Sequence, residues 1–197
     1  NALAGIVDLE RDTLEKLKGF YPEVEQHSQI NSALESNYDG YIVATPAQTH
    51  FEVSKKIIKR KKHLLIEKPM TLCIEEARNL VNLSERFKVN VVVGHLLLFH
   101  PAIKKIKKMI LDKEIGDLQY IYSNRLNLGK VRTQENVFWS FAPHDIALFQ
   151  YLTGSNPEKI NATGSTFLQK GIPDSTLTQI EYKNGVKGHI FVSWLHP

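Results

Sequence analysis

A series of short apolar runs constrains the first half of this chain more than any other feature. Each run is closed by a polar or turn-forming residue and followed by a helical pattern. Residues 2–7 end at Asp8, a short strand lies around Val24, and residues 41–44 end at Thr45-Pro46. Residues 64–66 end at Glu67-Lys68-Pro69, and residues 91–93 end at Gly94-His95. Between them, residues 12–17 read as a helix, a weak helical turn lies near Ala33 and Leu34, and Phe51, Ser54, Ile57 and Ile58 share one helical face. Ile74, Ala77, Leu80, Val81, Ser84 and Phe87 form a further stripe. Continuous apolar strands joined by helices predict a parallel sheet covered on both faces.

The second half changes period. A helix over Pro101–Leu111 is predicted to bury Ile103, Ile106 and Ile110 and to expose Lys104, Lys105, Lys107 and Lys108. Strand-like stretches follow at 118–127, 159–168, 176–182 and 187–194, with a helix from about Pro143 to Leu152 that stops at Gly154. Asn184-Gly185 is a hairpin signal between the last two strands. The chain is therefore read as α/β: a parallel-sheet domain over residues 1–99, then an α+β domain with a mainly antiparallel sheet over 100–197.

Charge and cysteine content narrow the function. The excess of Lys and Arg over Asp and Glu gives a net charge of only +4. The runs Lys55-Lys56, Lys59-Arg60-Lys61-Lys62 and Lys104 to Lys108 lie on the polar faces of amphipathic helices, so a solvated face explains them better than a nucleic-acid surface. Cys73 is the single cysteine; it excludes an internal disulfide and fits a reducing, cytoplasmic setting. The longest apolar run, 91–99, is broken by Gly94 and His95 and falls short of the roughly 18–20 residues of a membrane span. No membrane partner is expected.

Ligands of an open parallel sheet bind beyond the carboxyl ends of its strands, so the residues there carry the functional reading. An acid closing the second strand of a dinucleotide-binding sheet accepts hydrogen bonds from ribose hydroxyls and repels a 2′-phosphate, a role open to Asp8 that favours NAD over NADP. Capping of the helix near Arg11 or Asp12 is an equal alternative for Asp8. No G-x-G-x-x-G occurs in the 197 residues, and the first residue already lies in the strand leading to Asp8. The pyrophosphate cradle at a helix N-terminus is thus missing, and a fragment of a longer protein is expected.

The motif order resembles the Gfo/Idh/MocA oxidoreductases: Asp8, then Ala44-Thr45-Pro46 with His50, then Glu67-Lys68-Pro69, then Gly94-His95 with Phe99-His100-Pro101. The resemblance implies an incomplete Rossmann-type domain that binds NAD through Asp8, Ala44, Thr45, Pro46, His50, Glu67, Lys68, Pro69 and His95. Thr45, Pro46 and His50 would line the nicotinamide side. Lys68, on a rigid turn with Pro69 that can be cis, would stand beside the nicotinamide and the reacting hydroxyl. His144 would match the family's substrate-site histidine, with Ser140 where the family often has aspartate. The run from Ser123 to Lys130, Arg132, Glu135-Asn136 and Trp139-Ser140-Phe141-Ala142-Pro143-His144-Asp145 resembles the branch that oxidises C3 of UDP-N-acetylglucosamine or its uronic acid. Asn124, Arg125, Asn127, Arg132, Trp139 and Ser140 join Lys68 and His144 as expected substrate contacts, the two arginines suiting a diphosphate. A homo-oligomer, dimer or tetramer, is also implied.

Sugar oxidation needs a hydride acceptor and a base for the hydroxyl proton. A cationic nicotinamide beside a partly desolvated lysine favours the neutral, proton-accepting Lys68. A helix N-terminus would do the same for His144. Either residue can be the base, and each has a plainer reading, as a turn lysine and a capping histidine. His50, His95 and His100 match no zinc spacing, so no metal is expected. The rival to an enzyme is a non-catalytic homologue acting as a sugar-nucleotide sensor or scaffold.

Overall fold

The computed structural model describes residues 2–128 and 131–196. It divides into two compact units, residues 1–94 and 95–197.

The first unit is built from β1 (Gly5–Val7), α1 (Arg11–Phe20), β2 (Glu25–His27), α2 (Ile30–Ala33), β3 (Gly40–Val43), α3 (His50–Lys59), β4 (His63–Ile66), α4 (Ile74–Phe87) and β5 (Val91–Val93). All its strand pairs are parallel: β1 with β2, and β3-β4-β5 in a second group. The apolar stripes do what their spacing predicts on one side. Val43, Leu64 and Ile66 bury against Ile57 and Ile58 of α3 and Leu80 of α4. The other side departs from expectation. Ile42 is 74% exposed and Val92 48%, so among the described residues β3-β4-β5 is covered on one face only.

The second unit opens with a short 3-10 turn (Leu96–Phe99) and α5 (Pro101–Leu111), followed by β6 (Tyr120–Leu126), α6 (Val137–Thr153), β7 (Pro157–Ser165), β8 (Ser175–Tyr182) and β9 (Lys187–Ser193). The α5 boundaries are those of the sequence pattern. His100 caps the helix by accepting from the Ala102 N–H, and Pro101 takes the first helical position, where its missing N–H costs nothing. No residue of α5 is buried, however, and Ile106 is exposed rather than covered. The sheet order is β6-β9-β8-β7. Its pairs β7-β8 and β8-β9 are antiparallel, whereas β6 lies parallel to β9, which makes the sheet mixed. Asn184 and Gly185 form the predicted hairpin turn, Gly185 at φ 85°, with the Tyr182 N–H donating to Val186 O.

α6 covers one face of this sheet, packing Val137, Ala142 and Phe149 against Ile180, Ile190, Val192 and Trp194. Strand alternation leaves Tyr120, Tyr122, His189, Phe191 and Leu177 on the opposite face, where Tyr122 stacks on both Tyr120 and His189. α6 begins six residues earlier than the sequence reading. Asn136 accepts from the Trp139 N–H as its cap, and Pro143, taken as a first-turn proline, lies inside the helix.

Candidate functional site

The ends of β3, β4 and β5 meet in one set of turns. Beyond β3, Ala44, Thr45 and Pro46 are exposed, and the Thr49 hydroxyl donates to Pro46 O and approaches Thr45 Oγ1. Beyond β4, the Glu67 N–H donates to Val43 O and the Gly94 N–H to Ile66 O, which ties the ends of β3, β4 and β5 together. The Lys68–Pro69 bond is cis, as the turn reading allowed. Glu67 Oε2 accepts from the Lys68 N–H at 3.3 Å. The same carboxylate lies against Gly94, where a Cβ would come within 3.2 Å of Glu67 Oε2. Glycine there allows this close approach, and its φ is not in the left-handed region.

His50 is the hidden strut of this region. Its ring is 1% exposed, with Nδ1 at 2.8 Å from Pro69 O and Nε2 at 2.8 Å from Thr45 O. Both partners are acceptors, so the ring donates from Nδ1, from Nε2 or from both. The ring has almost no surface to offer a ligand, which moves it from the expected nicotinamide wall to a brace behind Thr45 and Pro69. Asp8 meets part of its alternative reading. Its Oδ1 accepts from the Glu10 N–H at 2.8 Å, ordering the turn into α1, while Glu10 rather than Asp8 is the cap residue of α1.

These turns suit the adenosine-ribose and nicotinamide ends of a dinucleotide. Asp8 is engaged through Oδ1 by the Glu10 N–H at the end of β1, and Thr45 and Pro46 are exposed residues at the end of β3. Among the described residues no glycine-rich turn exists for the pyrophosphate.

The second unit holds a separate cluster around His144. The ring of His144 meets that of His95 edge-on, with centroids 6.4 Å apart at 80°, so the two histidines pack together. His144 is the eighth residue of α6 rather than its opening residue, and the helix-terminus field invoked from sequence does not reach it. Ser140, buried, lies one turn before it. Arg125 is committed elsewhere than expected. Its Nε and Nη2 donate to Asp145 Oδ2 and Oδ1 at 2.9 and 3.0 Å, and Ser123 Oγ adds 2.8 Å to Oδ1. That hydrogen bond to Asp145 raises the Arg125 pKa against partial burial. The side-on edge of the guanidinium is thus taken, leaving only its end-on edge for a phosphate.

Asn124 turns away: adjacent strand residues face opposite sides, and it lies on the open face with Tyr122 and Phe191. Asn127 is exposed just past β6, its N–H donating to Ser193 O. Arg132 is exposed, and its carbonyl accepts from Gln169 Nε2 at 2.6 Å. Trp139 is partly exposed at the start of α6. Gly129 and Lys130 of the matched run lie outside the described residues. Sequence reasoning missed Asp145, whose signal was an acid set in an otherwise apolar helix. Among the described residues no three His, Cys, Asp or Glu side chains gather as a metal site, and no helix is long and apolar enough to cross a membrane.

Comparison with known proteins agrees with this division. The family described as "Oxidoreductase family, NAD-binding Rossmann fold" matches residues 2–95, and the GFO/IDH/MocA C-terminal domain matches residues 103–197. UDP-N-acetylglucosamine 3-dehydrogenase of Acidithiobacillus ferrooxidans is 32% identical over 133 residues, which is 67% of this chain and 41% of that protein. The scyllo-inositol 2-dehydrogenase (NAD(+)) of Bacillus subtilis is 27% identical over 92% of this chain and 58% of its own length. The chain therefore spans about half the length of these relatives. The solved structure of the WlbA dehydrogenase from Bordetella pertussis, in complex with NADH and UDP-GlcNAcA, superposes with a TM-score of 0.90 at 20% identity, over 98% of this chain and 59% of that one. That likeness concerns the fold.

Proposed function

Because the chain belongs to the GFO/IDH/MocA oxidoreductase family, we propose that it serves the NAD-dependent oxidation of a hydroxyl on a sugar or nucleotide sugar, with C3 of a UDP-N-acetylhexosamine as the preferred position. Residues 1–99 hold the cofactor, and residues 100–197 hold the substrate and the oligomer contact. The observation that carries this reading is the Glu67-Lys68-Pro69 turn, braced by His50 and closed onto Gly94 at the carboxyl ends of a parallel sheet. Asp8 holds the adenosine ribose. Ala44, Thr45, Pro46, Glu67 and Pro69 shape the nicotinamide end, and His50 acts from behind them. When bound, the nicotinamide supplies the hydride acceptor.

The remaining work is moving the hydroxyl proton, and Lys68 or His144 takes it. His95 backs His144. Arg132, Asn127, Trp139 and Ser140 are the substrate contacts we retain. Similarity to a UDP-N-acetylglucosamine 3-dehydrogenase supports the nucleotide sugar, while the inositol dehydrogenase among the relatives supports only a polyol. The exposed aromatic face of Tyr120, Tyr122, His189 and Phe191 supports a homo-oligomer.

The test is NADH fluorescence titration of the 197-residue chain, with and without UDP-N-acetylglucosamine. Micromolar NADH binding strengthened by the sugar nucleotide supports the dehydrogenase. Turnover should then fall by roughly 10²–10⁴-fold in Lys68→Met if Lys68 is the base. Sugar-nucleotide binding without NADH binding would make this chain a fragment or a sensor, with catalysis belonging to a longer form.

A further inference from the structure

We propose that Asp145, gripped by Arg125 and Ser123, is the positioning residue that sets His144. The chemical purpose of this clamp rests on the dehydrogenase reading above, and its geometry rests on the second unit alone.

The need for a clamp lies in α6 itself. Pro143 stands inside the helix, immediately before His144. Proline has no N–H to donate and its ring crowds the carbonyl four residues back, here that of Trp139, so the helical ladder is interrupted at this turn. Helices bend at such points. His144 follows immediately, so the direction of its side chain depends on how α6 runs through this turn.

Asp145 supplies the outside constraint. It is 2% exposed, and its carboxylate accepts three hydrogen bonds from the two polar inward positions of β6. Two of them form a side-on pair with the Arg125 guanidinium, a geometry that fixes orientation as well as distance. The third, from Ser123, enters from two residues further back, the next position on the same face of the strand. Successive residues of an α-helix are turned by about 100° about its axis, so holding Asp145 on β6 also fixes the direction in which His144 leaves the helix. The edge-on packing of His144 against His95 depends on that direction. Arg125 and Asp145 thus act through His144 and the helix backbone rather than on substrate.

The clamp is testable by nuclear magnetic resonance of the full 197-residue chain with isotope-labelled histidine. The ring cross-peaks of His144 are assigned by their loss in His144→Gln. Asp145→Asn keeps the volume and removes the charge, and Arg125→Gln removes the fork. Both are expected to move the His144 cross-peaks by more than a linewidth or to split them. Ser123→Ala, the mildest change, should move them less and in the same direction, and it serves if Asp145→Asn fails to fold. Ile190→Val, a core trimming in the same unit, should lower stability and leave these peaks in place. In turnover assays the clamp variants should lose kcat with KM little changed. Unmoved His144 peaks in Arg125→Gln and Ser123→Ala would overturn the proposal. Absence of NADH binding in the unaltered chain would bear on the dehydrogenase reading alone and leave the resonance result intact.

Discussion

His50 Nδ1 lies 2.8 Å from the carbonyl oxygen of Pro69, nineteen residues later in the chain. With Nε2 equally close to Thr45 O, one imidazole joins the turn after β3 to the turn after β4. The two turns proposed to flank the nicotinamide therefore share a single buried support.

Replacing that support should be costly. His50→Leu fills the space but offers no donor, and a buried carbonyl left without one costs about 1–3 kcal/mol. His50→Gln retains an amide donor and should lose less. Urea unfolding of the two variants beside the parent measures the difference, and equal stabilities for Leu and Gln would show that the ring serves only as filler.

Gly94→Ala tests the closeness of the Glu67 carboxylate. The new methyl would meet atoms at 3.2 and 3.3 Å that belong to the end of a flexible side chain. Glu67 can give way, so the stability loss should stay below about 1 kcal/mol, less than the usual cost of overpacking a rigid core. NADH affinity should drop, because the displaced carboxylate also holds the Lys68 N–H. A large fall in the unfolding midpoint with unchanged NADH affinity would refute this assignment.

Tyr182 gives a pH signature. Burial pushes its hydroxyl up to about 12 from an ordinary value of 10. The unfolded chain ionises this tyrosine first, so between these two values the folded state binds more protons and stability falls as pH rises. The full contribution, about 2–3 kcal/mol for a shift of this size, is present below pH 10 and lost as pH passes through 12. Tyr182→Phe should flatten that alkaline slope in denaturation curves recorded from pH 9 upward.

Tyr120 and Tyr122 are exposed on the face opposite α6, and half-buried His189 completes their stacked row. Association through this row predicts that Tyr122→Glu shifts sedimentation toward the monomer, since a charge is expensive to bury in an apolar contact. Identical sedimentation of parent and variant at high concentration would place the contact elsewhere.

Much of this architecture was legible from apolar periodicity. The spans of α3, α4 and α5 and the Asn184-Gly185 turn follow from local patterns, because each is decided by residues close together in the chain. The start of α6 was misread, since a proline before a histidine looks like a helix opening; the stronger signal was Asn136, a side-chain cap ahead of an apolar run. Strand parity already forbade Asn124 and Arg125 from facing the same side. The pairing of Arg125 with Asp145 was not legible, because it depends on which face of β6 meets which face of α6. The exposed side of β3-β4-β5 also escaped the pattern, for apolar residues mark surface that can be buried without naming what buries it.

The parallel pairing of β6 with β9 has a consequence for how the chain is made. Tyr120 to Leu126 find their hydrogen-bonded neighbours only at Lys187 to Ser193, after α6 and two further strands. During synthesis β6 cannot meet β9 until α6, β7 and β8 have been translated, whereas β3 and β4 of the first unit meet partners within about two dozen residues. Non-local closure of this kind slows folding. The first unit can thus gather its strands on short connections, while β6 waits for β9 with its edge open, and that interval is when another strand could take the place of β9.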